Sequence, residues 1–113
     1  MSNETQLAKQ SAENNLAWLQ IWYADQCDGE WEHAYGISIG TLDNPGWKLE
    51  INLLKTALAD VPFDSVEREG EEDWFVCKAD GKTFKAYGGA KNLDDMIDAF
   101  RKWATKADKK EQE

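Results

Sequence analysis

A single histidine, His33, is the first shortage that bounds what this chain can do. Most metal sites need more imidazole than that. No Ser or Cys stands in an obvious nucleophile motif beside it. Cysteine is scarce as well: Cys27 and Cys77 lie far apart in no paired-ligand spacing. The opening residues, MSNETQLAKQ, show neither the apolar core nor the basic leader of a secretion signal. Free thiols and a cytoplasmic location are therefore expected rather than a disulfide. No run approaches the roughly 20 apolar residues of a membrane span. Positive charge is in deficit, because 13 Lys and Arg against 22 Asp and Glu leave −9. Such a chain is repelled by nucleic-acid phosphate and by an anionic membrane surface. It would steer a basic partner. Acidity is also an ordinary device for solubility, and net charge alone does not choose between the two.

Aromatic residues are abundant. Six Trp, four Phe and three Tyr in 113 residues supply large apolar area. One domain over residues 1–113 is expected, with an ordered core over about 7–106. A domain of this size buries roughly two-thirds of its unfolded surface, enough for a core without metal or disulfide staples. In so polar a chain some aromatics are expected at the surface, where they are interface candidates.

From Leu7 to about Gln26 the pattern is helical. Leu7, Ala8, Ala12, Leu16, Trp18, Leu19, Trp22 and Tyr23 cover about half the helix circumference. Asp28-Gly29 ends the helix, since Gly tolerates the left-handed conformation. His33 to Leu42 reads as a strand with Tyr35, Ile37 and Ile39 on one face and Gly36, Ser38 and Gly40 on the other. The glycines suggest a close neighbour on their face or a bend. Asn44-Pro45-Gly46-Trp47 fits a type II turn. Trp47, Leu49, Ile51 and Leu53 then alternate with Lys48, Glu50 and Asn52, a half-buried strand.

Residues 55–62 fit either a short helical turn or an irregular connection. Phe63 to Glu69 reads as a charged strand suited to a sheet edge. Gly70 to Asp73 is a turn. Trp74 to Ala79 and Lys82 to Tyr87 flank Asp80-Gly81, a hairpin signal. Asn92 is placed to cap a last helix, with Asp94 and Asp95 in its first turn. Leu93, Met96, Ile97, Phe100, Trp103 and Ala104 form its apolar stripe, and fraying is expected after about Lys106. The order predicts an α+β fold: an antiparallel meander of about five strands with an N-terminal and a C-terminal helix packed on it.

Chemistry has few footholds. A His33–Glu32 pair could serve as acid and base, and Cys27, His33 and Glu32 form the alternative metal or enzyme reading. The carboxylates around Gly29 lack the alternation of a calcium loop. Gly88-Gly89 lacks the Lys-Ser/Thr of a phosphate loop, and a close strand-to-helix turn explains it better. No cofactor or metal is expected. Two acidic clusters remain. One is Asp25, Asp28, Glu30 and Glu32 with Trp31 among them; the other is Glu67, Glu69, Glu71, Glu72 and Asp73, followed by Trp74. Carboxylates around an aromatic anchor suit a basic protein surface. Trp74 opens an apolar strand and is expected in the core. For Trp31 the sequence leaves core and anchor both open.

WLQIWYADQCDG (Trp18–Gly29) and WEHAYGISIGTLDNPGW (Trp31–Trp47) carry a resemblance to the immunity protein 53 family of bacterial polymorphic-toxin systems. Weaker echoes are Asp73-Trp74, Cys77, Phe84, Gly88 and Asn92-Leu93, so the likeness runs from about Leu16 to Trp103. The resemblance implies a non-enzymatic cytoplasmic protein that binds and neutralises a cognate toxin domain, which would be basic if it acts on nucleic acid. It carries over no binding residues.

Overall fold

A computed structural model describes residues 14–112, with side chains up to 108. Leu7, Ala8 and Ala12 of the expected first helix lie outside the described residues. Helix α1 spans Asn15–Gln26. Asn14 caps it in extended conformation, its Oδ1 accepting from Ala17 N–H at 2.7 Å. Gly29, at φ +94°, turns the chain away after it. Trp31–Ala34 forms a four-residue helix, α2, which takes in His33 and Ala34, the first residues of the expected strand. Asp28 and Glu32 cause the difference, by pairing with the backbone of this turn rather than leaving it to a sheet (see below).

Strands β1 (Ile37–Leu42), β2 (Gly46–Asn52), β3 (Val66–Arg68), β4 (Phe75–Ala79) and β5 (Thr83–Gly88) build one antiparallel sheet. Helix α3, Leu93–Gln112, closes the order and extends past Lys106. The α+β class and both helices are as the sequence predicts. The strand order is β1-β2-β5-β4-β3, so β5 lies beside β2 and the meander is interrupted once. The reason is burial. Pairing β2 with β5 sets Leu49 opposite Ala86 and Ile51 opposite Phe84, all fully buried under α3. The charged strand β3 is left at the edge, as predicted.

Two turns differ in detail from expectation. Asn44–Pro45 is a cis peptide and Gly46 already belongs to β2, so the loop is not the type II turn. In the β4–β5 hairpin Asp80 and Thr83 pair, with Gly81 and Lys82 central. Asp80 Oδ1 accepts from the N–H groups of Lys82 and Thr83 at 2.9 and 2.8 Å. Residues 55–62 are irregular turns, with Leu58 buried as their anchor.

The core is aromatic. Phe100 meets Trp18, Trp22, Phe84 and Trp103 at ring separations of 5.8, 5.0, 5.1 and 6.0 Å, all edge-to-face. Indole N–H groups then fasten the loops. Trp31 donates to the Leu54 carbonyl, Trp47 to Ala90 and Trp103 to Pro62, at 2.9, 2.8 and 2.9 Å. Burial of each ring thus also satisfies a carbonyl in a segment with no ladder of its own. No helix among the described residues is long and apolar enough to cross a membrane.

Candidate partner-binding surface

The first acidic cluster lies beyond the Asn52 end of the sheet, where Trp31 is tied to Leu54. The second lies at the Gly46 end, between Arg68 of β3 and Phe75 of β4. The fold therefore separates the two clusters by the length of the strands.

Within the first cluster the carboxylates have different tasks. Asp28 Oδ1 accepts from the N–H groups of Trp31 and Glu30, both at 2.9 Å. Glu32 reaches back and accepts from the N–H groups of Gly29 and Asp28 at 2.9 and 3.0 Å. This reciprocal pairing satisfies the orphan donors of a helix start, as in a capping box. It holds both carboxyls below their ordinary values of 3.8 and 4.5, through Trp31 N–H first for Asp28 and through its own backbone N–H first for Glu32. A depressed folded value stabilises the fold above the ordinary value and ceases to do so as pH falls through the folded one. Asp28→Asn is therefore expected to be less stable than the parent at neutral pH. The gap should close as pH falls below the ordinary value of 3.8 and through the lower folded one. Urea unfolding across that range checks this, and an unchanged gap contradicts it. Glu30 and Asp25 are exposed.

Trp31 is 3% exposed, so of its two open readings the core one holds. The aromatic at the surface beside this cluster is Tyr23, 38% exposed, its ring 6.0 Å from that of Trp31. Tyr23 and Leu16 of α1, with Ile39 of β1, line a groove of about 480 Å³ between helix and strand. Leu16 is 56% and Ile39 42% exposed. The sequence placed all three on buried faces. The signal that they are surplus was the breadth of the α1 apolar arc. Trp18, Leu19 and Trp22 alone fill the contact with the core, and a half-circumference arc exceeds what one neighbouring layer covers.

The second cluster contains exposed carboxylates and one that is fastened to its neighbours. Glu67, Glu69, Glu71 and Glu72 are exposed. Asp73 pairs with Arg68 at 3.0 Å and accepts from Asn92 Nδ2 at 2.7 Å. Asn92 is buried, donates also to Asp95 at 2.8 Å, and accepts from Trp74 N–H at 3.3 Å. It starts α3 through its carbonyl, which accepts from Met96 N–H, while its side chain ties the acidic turn to the helix. These contacts hold the Asp73 carboxyl below its ordinary value, Asn92 contributing most. Trp74, expected in the core, is only half-buried. It lines a hollow of about 580 Å³ with Pro45, Glu71, Glu72 and Lys91. Gly88 and Gly89 are explained by close approach: a Cβ on Gly89 would lie 2.4 Å from the Glu72 carbonyl oxygen.

The groups suited to chemistry are dispersed. His33 is exposed on α2 rather than placed at the start of β1. Cys27 donates its S–H to the Tyr23 carbonyl at 3.4 Å. Cys77 is buried and its thiol is pushed up to about 12 by that burial, then by the Asp95 charge, which leaves it unreactive. Both cysteines are free. Among the described residues no three His, Cys, Asp or Glu side chains are grouped to hold a metal ion.

No curated protein and no solved structure matches this chain. A family model, immunity protein 53, matches residues 16–105. That span takes in α1, the 28–32 turn, all five strands and most of α3, so the chain belongs to the immunity protein 53 family.

Proposed function

We propose that this protein binds a cognate polymorphic-toxin domain in the cytoplasm and neutralises it by covering or distorting its active site. It acts as one domain and performs no chemistry. Family membership supports a protein partner. The observation that carries the reading further is the placement of exposed carboxylates beside surface aromatics in a chain of net charge −9. Asp25 and Glu30 are exposed in the segment that follows Tyr23; Glu71 and Glu72 line one hollow with Trp74, and Glu69 is exposed just before them in the chain. Such sets give steering and register to a basic partner, and the aromatic supplies buried contact area. A toxin that acts on nucleic acid presents a basic surface of this kind. In the interface set, Asp28, Glu32 and Asp73 serve by shaping their loops, and Glu67 adds to the field at the β3 edge. The metal or enzyme reading on His33, Glu32 and Cys27 has less support, because Glu32 is engaged by two backbone N–H groups.

Growth rescue tests the proposal. The toxin domain encoded beside this chain's gene is expressed with and without the protein. Restored growth with co-purification is expected, and no rescue by soluble, folded protein sinks the reading. Glu30→Lys, which disturbs no backbone contact, is expected to slow association several-fold at low salt, the difference fading at high salt. The pair Glu71→Lys and Glu72→Lys interrogates the other end in the same way. Stopped-flow rates decide, since a reversal that leaves the rate unchanged removes that end from the interface.

A further inference from the structure

The sheet has two edges, and they are built differently. Edge β3 is three residues long, Val66-Glu67-Arg68, fully exposed, and flanked by Asp64 and Glu69. Short length and mixed charge are how natural sheets prevent unwanted pairing. Edge β1 is six residues, Ile-Ser-Ile-Gly-Thr-Leu, with no charge and no proline. It has none of those guards, although an unguarded edge is a liability for a free protein.

The polar groups of this edge are turned outward. Asn52 N–H donates to the Gly36 carbonyl at 3.0 Å. Antiparallel ladders alternate, so Ser38, Gly40 and Leu42 face β2 while the N–H and C=O of Ile37, Ile39 and Thr41 point away from it. Beside the edge, on the helix side, runs the groove of Leu16, Tyr23 and Ile39, whose one charged lining residue is Glu32. On the other side Gly36 and Gly40 have nothing within 4 Å of an added Cβ, so no neighbour among the described residues requires glycine there. The next cation on that side is Lys48, opposite Gly40.

We propose that β1 takes an extended segment of the toxin as a sixth strand. This rests on the toxin-binding reading and assigns it a surface. The incoming strand would hydrogen-bond to Ile37, Ile39 and Thr41, as in strand addition generally. Alternate apolar side chains would enter the α1/β1 groove, and the others would lie over the bare backbone at Gly36 and Gly40. Charge selects the occupant. Glu32 lines the groove beside the start of β1 and Asp43 directly follows its last residue, so a strand flanked by Lys or Arg is favoured. A second copy of this chain is disfavoured, since it would bring another −9 to the same edge.

Amide hydrogen exchange on the toxin complex is the direct test. The N–H groups of Ile37, Ile39 and Thr41 are expected to exchange freely in the isolated protein and to become protected in the complex. Ile39→Pro removes one outward donor at a position where an edge tolerates proline. Ile39→Lys places a charge on the edge instead. Each is expected to weaken toxin binding about 100-fold, while Val66→Lys on β3 leaves it unchanged. If the three amides stay unprotected in a complex that forms, or if Ile39→Lys binds like the parent, the β1 surface is wrong and immunity stands. A parent protein that never binds the toxin overturns both. A concentration-dependent dimer of the parent, dispersed by Ile39→Lys, overturns this proposal in favour of a second copy.

Discussion

Replacing Trp31 by Ala is expected to remove about 3–5 kcal/mol of folding stability and to lower Tm by about 10–25 °C. Three losses combine. The indole is 3% exposed, so its removal leaves a cavity in the corner where α1, α2 and the 53–62 loops meet. Its edge-to-face contact with Trp22, at 6.2 Å, joins it to the ring cluster around Phe100. Its N–H holds the Leu54 carbonyl at 2.9 Å and ties that loop to α2. The cleanest check is chemical denaturation with two probes, tryptophan fluorescence and far-ultraviolet circular dichroism. A loss below about 1 kcal/mol would put the ring at the surface, where truncations are nearly neutral. A surface role would show differently, as weakened toxin binding in a protein of unchanged stability.

Asn92→Ala is expected to cost about 2–3 kcal/mol. Asn92 is the buried polar residue on which two carboxylates and a strand N–H converge: Asp73, Asp95 and Trp74. Truncation leaves the Trp74 N–H without its acceptor and returns the Asp73 carboxyl toward its ordinary value of 3.8. A proton NMR titration of Asp73 reads the second effect independently of stability. Asn92→Asp is the sharper variant. It keeps the shape but replaces a double donor with a third carboxylate between Asp73 and Asp95. Like charges so placed raise a carboxyl pKa. A raised folded value means the penalty is full at neutral pH and falls as pH drops through that value. The variant is therefore expected to recover toward the parent's stability on acidification. A penalty independent of pH would show that the amide acts by shape alone.

Much of the fold was legible in the sequence because its signals are local. The alternation of Leu49, Ile51 and Leu53 marked β2, Asp80-Gly81 marked the last hairpin, and the stripe from Leu93 to Ala104 marked α3, each within one element. Errors arose where a side chain satisfied backbone groups a few residues away. Glu32 and Asp28 close a helical turn over Trp31–Ala34 that takes the first two residues, His33 and Ala34, of what reads as strand. Asn92 looks like a simple cap, yet its side chain crosses to Asp73 and Trp74. Trp74, expected in the core because it opens an apolar strand, is half-buried, while loop 28–32 decides the open reading of Trp31 by folding it into the core.

The sequence by itself determined composition-level and local properties: an acidic, aromatic-rich α+β chain, its elements and its family likeness. These follow from charge count, periodicity and turn chemistry, which need no distant partner. Tertiary structure alone decided which strand lies beside β2, since β2 could have met β3 or β5 and only the second choice buries Ile51 against Phe84. It also decided which carboxylates remain exposed and which are held by backbone N–H groups. Lastly it decided that Leu16, Tyr23 and Ile39, apolar positions of two separate elements, share one open groove beside an unguarded strand. Each of these depends on contacts between residues far apart in the chain, where periodicity carries no information.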